Sequence, residues 1–212
     1  MPKSARIDPS ARLGPGCTVE DAAVVEAGAE VAASLTVGYG AVVGAGARVT
    51  QTVPPYGRVA GSPARVVGLV ETASGRALPG GSRAIDVAVK RDALGALTFL
   101  EEKNGLPFVP RRYFTLSELP DGGLRGAHAH RVCQQYFACL AGAVSLGLDD
   151  GTARAVVRLE RPEQGLHVPA GVWVTVFQPA AGTALLVLAS EPYLESDYVR
   201  RYADFRALKG LS

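Results

Sequence analysis

Cysteine is scarce. The chain of 212 residues has three, Cys17, Cys133 and Cys139, an odd number at wide spacing. That excludes a disulfide framework or a zinc knuckle and fits a reducing cytoplasm. Neither sign of charge dominates: 22 basic residues stand against 20 acidic ones. No Lys/Arg stripe interrupts this balance, so the electrostatic footprint of a nucleic-acid binder is missing. Long apolar runs are missing too. Ala184–Ala189 is among the longest and is far too short to cross a bilayer. No apolar run follows Lys3, so the N-terminus does not read as a signal peptide. Histidine is limited to three, and two of these, His128 and His130, are two residues apart. What is plentiful is glycine, 25 residues, which points to a turn-rich β architecture. With 48% hydrophobic and 20% charged residues, the composition is that of a folded protein.

The first quarter of the chain is a repeat. Aliphatic residues fall every six positions at Ile7, Leu13, Val19, Val25, Val31, Val37, Val43 and Val49. Four residues after each anchor a mostly small side chain follows: Ala11, Cys17, Ala23, Ala29, Leu35, Ala41, Ala47. A period of six fits neither a helix nor a simple alternating strand. It fits a prism-shaped coil with three short strands per turn, each anchor pointing inward, so that stacked coils bury an aliphatic ladder. The segment resembles the left-handed β-helix of hexapeptide-repeat acyltransferases, and Val53 to Gly68 resembles that family's exit segment. Such acyltransferases use a His to deprotonate the acceptor, and residues 1–100 contain none. Fewer than three coils are present. The resemblance therefore implies a shortened, catalytically silent platform that associates as a trimer.

Residues 71–84 are polar and rich in Gly and read as a linker. From Ile85 onward the pattern changes to short alternating strands, expected at Ile85–Lys90, Leu97–Glu101, Arg112–Leu116, Val132–Leu140, Ala143–Leu148, Ala153–Leu159, Val172–Phe177 and Ala184–Ala189. The fold expected is all-β throughout: a β-helix over 1–70, then a closed double-sheet jelly roll over 85–212. Tyr198, Tyr202 and Phe205 share a helical face, predicting a short amphipathic helix from Ser196 to Leu208.

Two imidazoles at i and i+2 on a strand project from one face, and inside a barrel that face is the cavity. They serve either metal binding or proton transfer. The spacing Gly122, His128, His130, position 135, Gly142 resembles the first motif of the cupin superfamily. Gly165 to Val174 resembles the second. Gln135 replaces the carboxylate ligand of the cupin metal site and Val174 stands where its last His is expected. Gln is neutral and a poor ligand, so no metal is expected. Two imidazoles and an amide without a metal suit acid/base chemistry on a carbon acid.

Asp92 to Phe205 resembles the cupin-type sugar-nucleotide 3,4-ketoisomerases (WxcM-like). The resemblance is carried by Arg111-Arg112-Tyr113-Phe114, Arg125-Gly126-Ala127-His128-Ala129-His130, Gln135, Gly165-Leu166 leading to Trp173, and Asp197 to Tyr202. It implies an isomerase acting on a dTDP-linked 4-keto-6-deoxyhexose, with no cofactor. His128 and His130 are implied to move the protons, with Arg112 and Arg125 holding the diphosphate. Gln135, Tyr113, Phe114, Trp173 and His167 would line or order the substrate pocket. Two departures stand out: Leu94 and Val174 replace a family arginine and histidine. The alternatives are a non-catalytic sugar-nucleotide binder and a bifunctional isomerase and N-acetyltransferase. The family's barrels look like dimers, so dimer and trimer contacts together predict a homo-oligomer, up to a hexamer, in the cytoplasm.

Overall fold

A computed structural model describes residues 4–70, 77–102 and 105–211. Eight two-residue strands occur at the repeat spacing: β1 (Arg6–Ile7), β2 (Arg12–Leu13), β3 (Thr18–Val19), β4 (Val24–Val25), β5 (Glu30–Val31), β6 (Thr36–Val37), β7 (Val42–Val43) and β8 (Arg48–Val49). Strands β1 to β5 each pair in parallel with the strand three further on, Arg6 with Val24 and Val24 with Val42, so one coil takes three hexads. The interior stays narrow because its second layer is alanine; Ala23, Ala29, Ala41 and Ala47 are fully buried beside Val25, Val37 and Val43. Among the described residues no coil lies beneath the first, which leaves Ile7 and Leu13 at 44% and 39% exposure. At the other end β9 (Gly57–Gly61) continues the first face on β7 and turns back antiparallel into β10 (Ala64–Leu69).

Most of the remaining strands form two five-stranded antiparallel sheets. The elements are β11 (Arg83–Asp86), β12 (Ala88–Asp92), β13 (Gly95–Phe99), β14 (Arg112–Leu116), β15 (Arg125–His130), β16 (Gln135–Ala141), β17 (Val144–Asp149), β18 (Arg154–Leu159), β19 (Gln164–Val168), β20 (Trp173–Phe177), β21 (Ala184–Ala189) and β22 (Tyr198–Val199). One sheet has the order β11-β19-β16-β21-β14 and the other β18-β17-β20-β15-β22. Their inner faces meet in one core, with Phe137, Leu166, Leu185 and Val187 from the first and Leu146, Leu148, Val174 and Val176 from the second. This is the expected jelly roll. β12 and β13 form a separate hairpin.

Several boundaries differ from expectation. The strand expected at Ile85–Lys90 is broken at the buried Val87 into β11 and β12. β11 begins at Arg83, inside the expected linker, because it pairs with β19; residues 71–76 of that linker lie outside the described residues. The strand expected from Val132 begins at Gln135, because the backbone N–H groups of Val132 and Cys133 bond the Asp197 carboxylate instead of a neighbouring strand. The C-terminal helix α1 (Tyr202–Leu208) starts later than expected. Tyr198 is on β22, drawn into the sheet by pairing with His130.

The β-helix and the barrel share side chains. Phe177, on the outer face of β20, is 1% exposed and packs with Val66 and Leu69 of β10 in the β-helix core. A second seam is aromatic. Tyr39 and Tyr56 of the β-helix meet Tyr202 of α1 at ring separations of 5.9 Å, and Tyr202 meets Trp173 edge-on at 5.1 Å. The hydroxyl of Tyr202 donates to the buried carboxylate of Asp149 at 2.6 Å. No helix among the described residues is long and apolar enough to cross a membrane.

Candidate active site

The site is built on a bulge in β15. Gly126 pairs with Thr175 and His128 with Val174, so Ala127 is an extra residue between them. Gly126 and Ala127 both have positive φ, 73° and 53°. The bulge changes the strand's phase. As a result Arg125 and His128, three apart, both border the same interior cavity of about 140 Å³, while Ala127 and Ala129 face the aromatic seam. A Cβ on Gly126 would stand 2.7 Å from the carbonyl oxygen of Val174. Gly126→Ala is therefore expected to destabilise the fold by about 1–3 kcal/mol, from backbone strain plus overlap with backbone that cannot step aside. Urea unfolding of the variant measures this; an unchanged midpoint would show that the bulge is not held as described.

His128 and His130 lie edge to face with ring centroids 5.1 Å apart. Tyr198 packs against both, at 4.9 and 4.3 Å. His130 is 4% exposed. Its Nδ1 is 2.7 Å from Oδ2 of Asp197. A carboxylate can only accept, so the pair fixes the proton on Nδ1 and leaves a lone pair on Nε2. That Nε2 is buried and has no hydrogen-bond partner among the described residues.

Electrostatics keeps both rings neutral. Burial lowers the His128 imidazole to about 4, helped by the neighbouring His130. Burial also lowers His130; the Asp197 hydrogen bond and charge oppose this, and Arg112 and Arg200 reinforce it. For Asp197, burial acts upward, but the bonds from His130 and from the Val132 and Cys133 N–H groups prevail and hold it below the usual carboxylate range.

The structure brings His128, Gln135, Phe114 and Arg125 together around the cavity, with Val174, Val176 and Val187 as apolar wall. Arg112 projects to the same side of β14 as Phe114. Its guanidinium lies by the rings of Phe114 and Tyr193, at 5.4 and 5.5 Å, and its buried Nε has no hydrogen-bond partner among the described residues.

Three expected pocket residues are elsewhere, and strand alternation is the reason. Tyr113, between Arg112 and Phe114, points outward and is 74% exposed. His167, between the inward Leu166 and Val168, turns to the outer face, where Nε2 meets the Gln134 side-chain oxygen at 2.9 Å. Trp173, next to the inward Val174, packs on Tyr202 and Phe205. Two neighbours of the His pair had no expected site role, Asp197 and Tyr198. Their signal was the Asp-Tyr dipeptide within a matched segment, masked by the helical spacing of Tyr198, Tyr202 and Phe205.

An antiparallel double sheet with a buried, neutral imidazole pair, one member oriented by a carboxylate, defines a jelly-roll protein equipped for proton transfer. The family described as FdtA, WxcM-like, C-terminal matches residues 81–210. The chain belongs to that WxcM-like family. It is similar to the TDP-4-oxo-6-deoxy-alpha-D-glucose-3,4-oxoisomerase of Aneurinibacillus thermoaerophilus, 34% identical over 115 residues, covering 54% of this chain and 83% of the relative. Among solved structures, a 3,4-ketoisomerase from Helicobacter canadensis matches with a TM-score of 0.59 and 30% identity, over 61% of this chain and 97% of that one. A variant of the 3,4-ketoisomerase QdtA from Thermoanaerobacterium thermosaccharolyticum, in complex with TDP-4-keto-6-deoxyglucose, matches with a TM-score of 0.60 and 30% identity, over 62% and 95% of the two chains.

Proposed function

We propose that this protein is an isomerase that moves the keto group of a TDP-linked 4-keto-6-deoxyhexose from carbon 4 to carbon 3. The observation that carries this is the pair of neutral imidazoles in ring contact, of which His128 borders the barrel cavity, in a chain whose relatives are named for this reaction.

The reaction relocates two protons. His128 borders the cavity and is unprotonated at neutral pH, so it removes the proton from carbon 3 and returns it to carbon 4 of the enediol. The hydroxyl proton moves from the oxygen on carbon 3 to the oxygen on carbon 4. His130 handles that transfer, because Asp197 keeps its Nε2 open to accept. Gln135 orients the sugar. Arg112 and Arg125 bind the diphosphate by charge-assisted hydrogen bonds. The outer cavity of about 380 Å³ beside Tyr193 and Arg131 lies next to Arg112 and receives the nucleoside.

The β-helix serves as a self-association platform, consistent with the exposed Ile7 and Leu13 of its end coil. The enzyme acts in the cytoplasm as a homo-oligomer; light scattering that finds a monomer removes the oligomer. The shared core around Phe177 supports treating residues 1–70 and 85–212 as one rigid catalytic unit.

The test is incubation with TDP-4-keto-6-deoxyglucose in deuterium oxide. Deuterium entering the ring and a 3-keto product are expected; tight binding with no exchange would leave a binder. Two further results follow from the electrostatics. Loss of activity through protonation of His128 is expected only toward pH 4, well below the usual histidine value of 6.5, and His130 is shifted in the same direction. Stability follows the same sign: a histidine lowered in the folded state binds protons more weakly than the unfolded chain, so stability is full above about 6.5 and declines toward 4. Asp197→Asn should lower kcat at least about 10-fold with little change in KM, because it frees the His130 tautomer without touching the diphosphate contacts. A KM effect alone would contradict the orienting role.

A further inference from the structure

On the side of His130 away from its free Nε2, three different ligand types converge. A ring nitrogen of His130, the Cys133 sulfur and a carboxylate oxygen of Asp197 all lie within 4.8 Å of one another, and Nδ1 is the nitrogen that faces Asp197, at 2.7 Å. His130 and Cys133 are buried, at 4% and 2% exposure. We propose that these three residues form a binding site for a soft divalent cation, Zn²⁺ or Cd²⁺, and that its occupation switches the enzyme off. The inhibitory part rests on the isomerase reading above; the binding part does not.

The geometry needs little adjustment. Zn²⁺ takes nitrogen and oxygen at about 2.0 Å and thiolate at about 2.3 Å, which puts tetrahedral ligand atoms about 3.3–3.5 Å apart. The 2.7 Å contact between His130 and Asp197 must open by less than an ångström, and the Cys133 sulfur must swing inward. That sulfur makes only a weak contact with the Gln134 carbonyl oxygen, at 3.3 Å. Asp197 is already held from behind by the N–H of Val132 at 2.7 Å and of Cys133 at 3.3 Å, the outer-shell support that a ligating carboxylate requires. It also borders the outer surface cavity, which supplies a route in and room for water as fourth ligand. A nitrogen, a thiolate and a carboxylate favour Zn²⁺ or Cd²⁺ over Mg²⁺ or Ca²⁺.

The consequence for chemistry is a change of tautomer. With Asp197 as acceptor, the neutral imidazole carries its proton on Nδ1 and can accept at Nε2. A cation on Nδ1 needs that lone pair, so the ring proton relocates to Nε2. His130 keeps the same number of protons, the thiol of Cys133 releases one to solvent, and the metal stays divalent throughout. His130 then has a donor where the reaction needs an acceptor, and proton transfer between the two sugar oxygens stops. This cation would sit behind His130, at residues other than the Gln135 and Val174 positions that face the barrel interior.

The experiment is titration of the full chain with Cd²⁺, read by the ultraviolet thiolate-to-metal charge-transfer band, with Zn²⁺ as competitor. One cation per chain is expected, with the band rising as ketoisomerase turnover falls, and a chelator reversing both. Cys133→Ser and Cys133→Ala should each keep turnover and weaken binding by more than about 100-fold, a larger loss than outer-shell changes cause. Nitrogen-15 NMR of His130 should show the proton moving from Nδ1 to Nε2. No band, or a band that survives in both variants and so belongs to Cys17 or Cys139, overturns the site. A band with unchanged turnover overturns the switch and leaves the site. Because the band needs no substrate, a chain that bound Cd²⁺ yet isomerised nothing would refute the isomerase reading separately.

Discussion

His128→Asn and His130→Asn each lower turnover by at least about 10²-fold, the contribution expected of a general acid or base. Asparagine keeps a polar side chain of similar reach but accepts no proton at neutral pH. The two variants should fail differently. His128→Asn removes the group assigned to carbon, so deuterium incorporation from solvent stops along with product formation. His130→Asn removes the group assigned to oxygen, so exchange at carbon 3 persists while conversion falls. Binding of TDP should survive in both, since Arg112 and Arg125 are untouched. Exchange and conversion falling together in both variants would collapse the division of labour. Near-wild-type turnover in both would remove the proposed function itself.

Phe177→Ala destabilises the whole chain by about 3–5 kcal/mol, the range for emptying a large aromatic from a tight core. The ring is 1% exposed and belongs to the β-helix core although its backbone is a barrel strand. It fills the space over Gly147, where a Cβ would already meet Leu69 at 2.5 Å and Phe177 at 3.4 Å. The cavity left behind therefore opens between the two halves. Unfolding followed by a β-helix probe such as Tyr56 and by the barrel's Trp173 should shift together in the variant. Loss of the barrel signal alone would mean that the halves are thermodynamically separate, and that the platform contributes nothing to the catalytic unit's stability.

The repeat was the most legible part of the chain. A six-residue period with a small residue four positions later requires only local information, because each strand's partner lies a constant 18 residues away. The His pair was legible for a similar reason: Gly122, His128, His130, Gln135 and Gly142 form a dense local pattern. Side-chain direction around the barrel was not. Tyr113, His167 and Trp173 are as aromatic or polar as the residues that do face the cavity, and only the register of their strands turns them outward. Asp197 was hidden more deeply, since it reaches His130 across 67 positions of sequence. The helical spacing of Tyr198, Tyr202 and Phe205 misled because Tyr202 and Phe205 are on α1, whereas β15 captures Tyr198 as a strand.

By itself, then, the amino-acid order determined the solenoid, the two-sheet barrel and the placing of two imidazoles on one strand face, because each follows from short-range periodicity or from a compact motif. The tertiary structure alone decided which face each strand shows to the cavity, which carboxylate sets the His130 tautomer, and how the halves join through Phe177. Those outcomes depend on a one-residue bulge at Ala127 and on pairings between distant segments, and no local pattern encodes either.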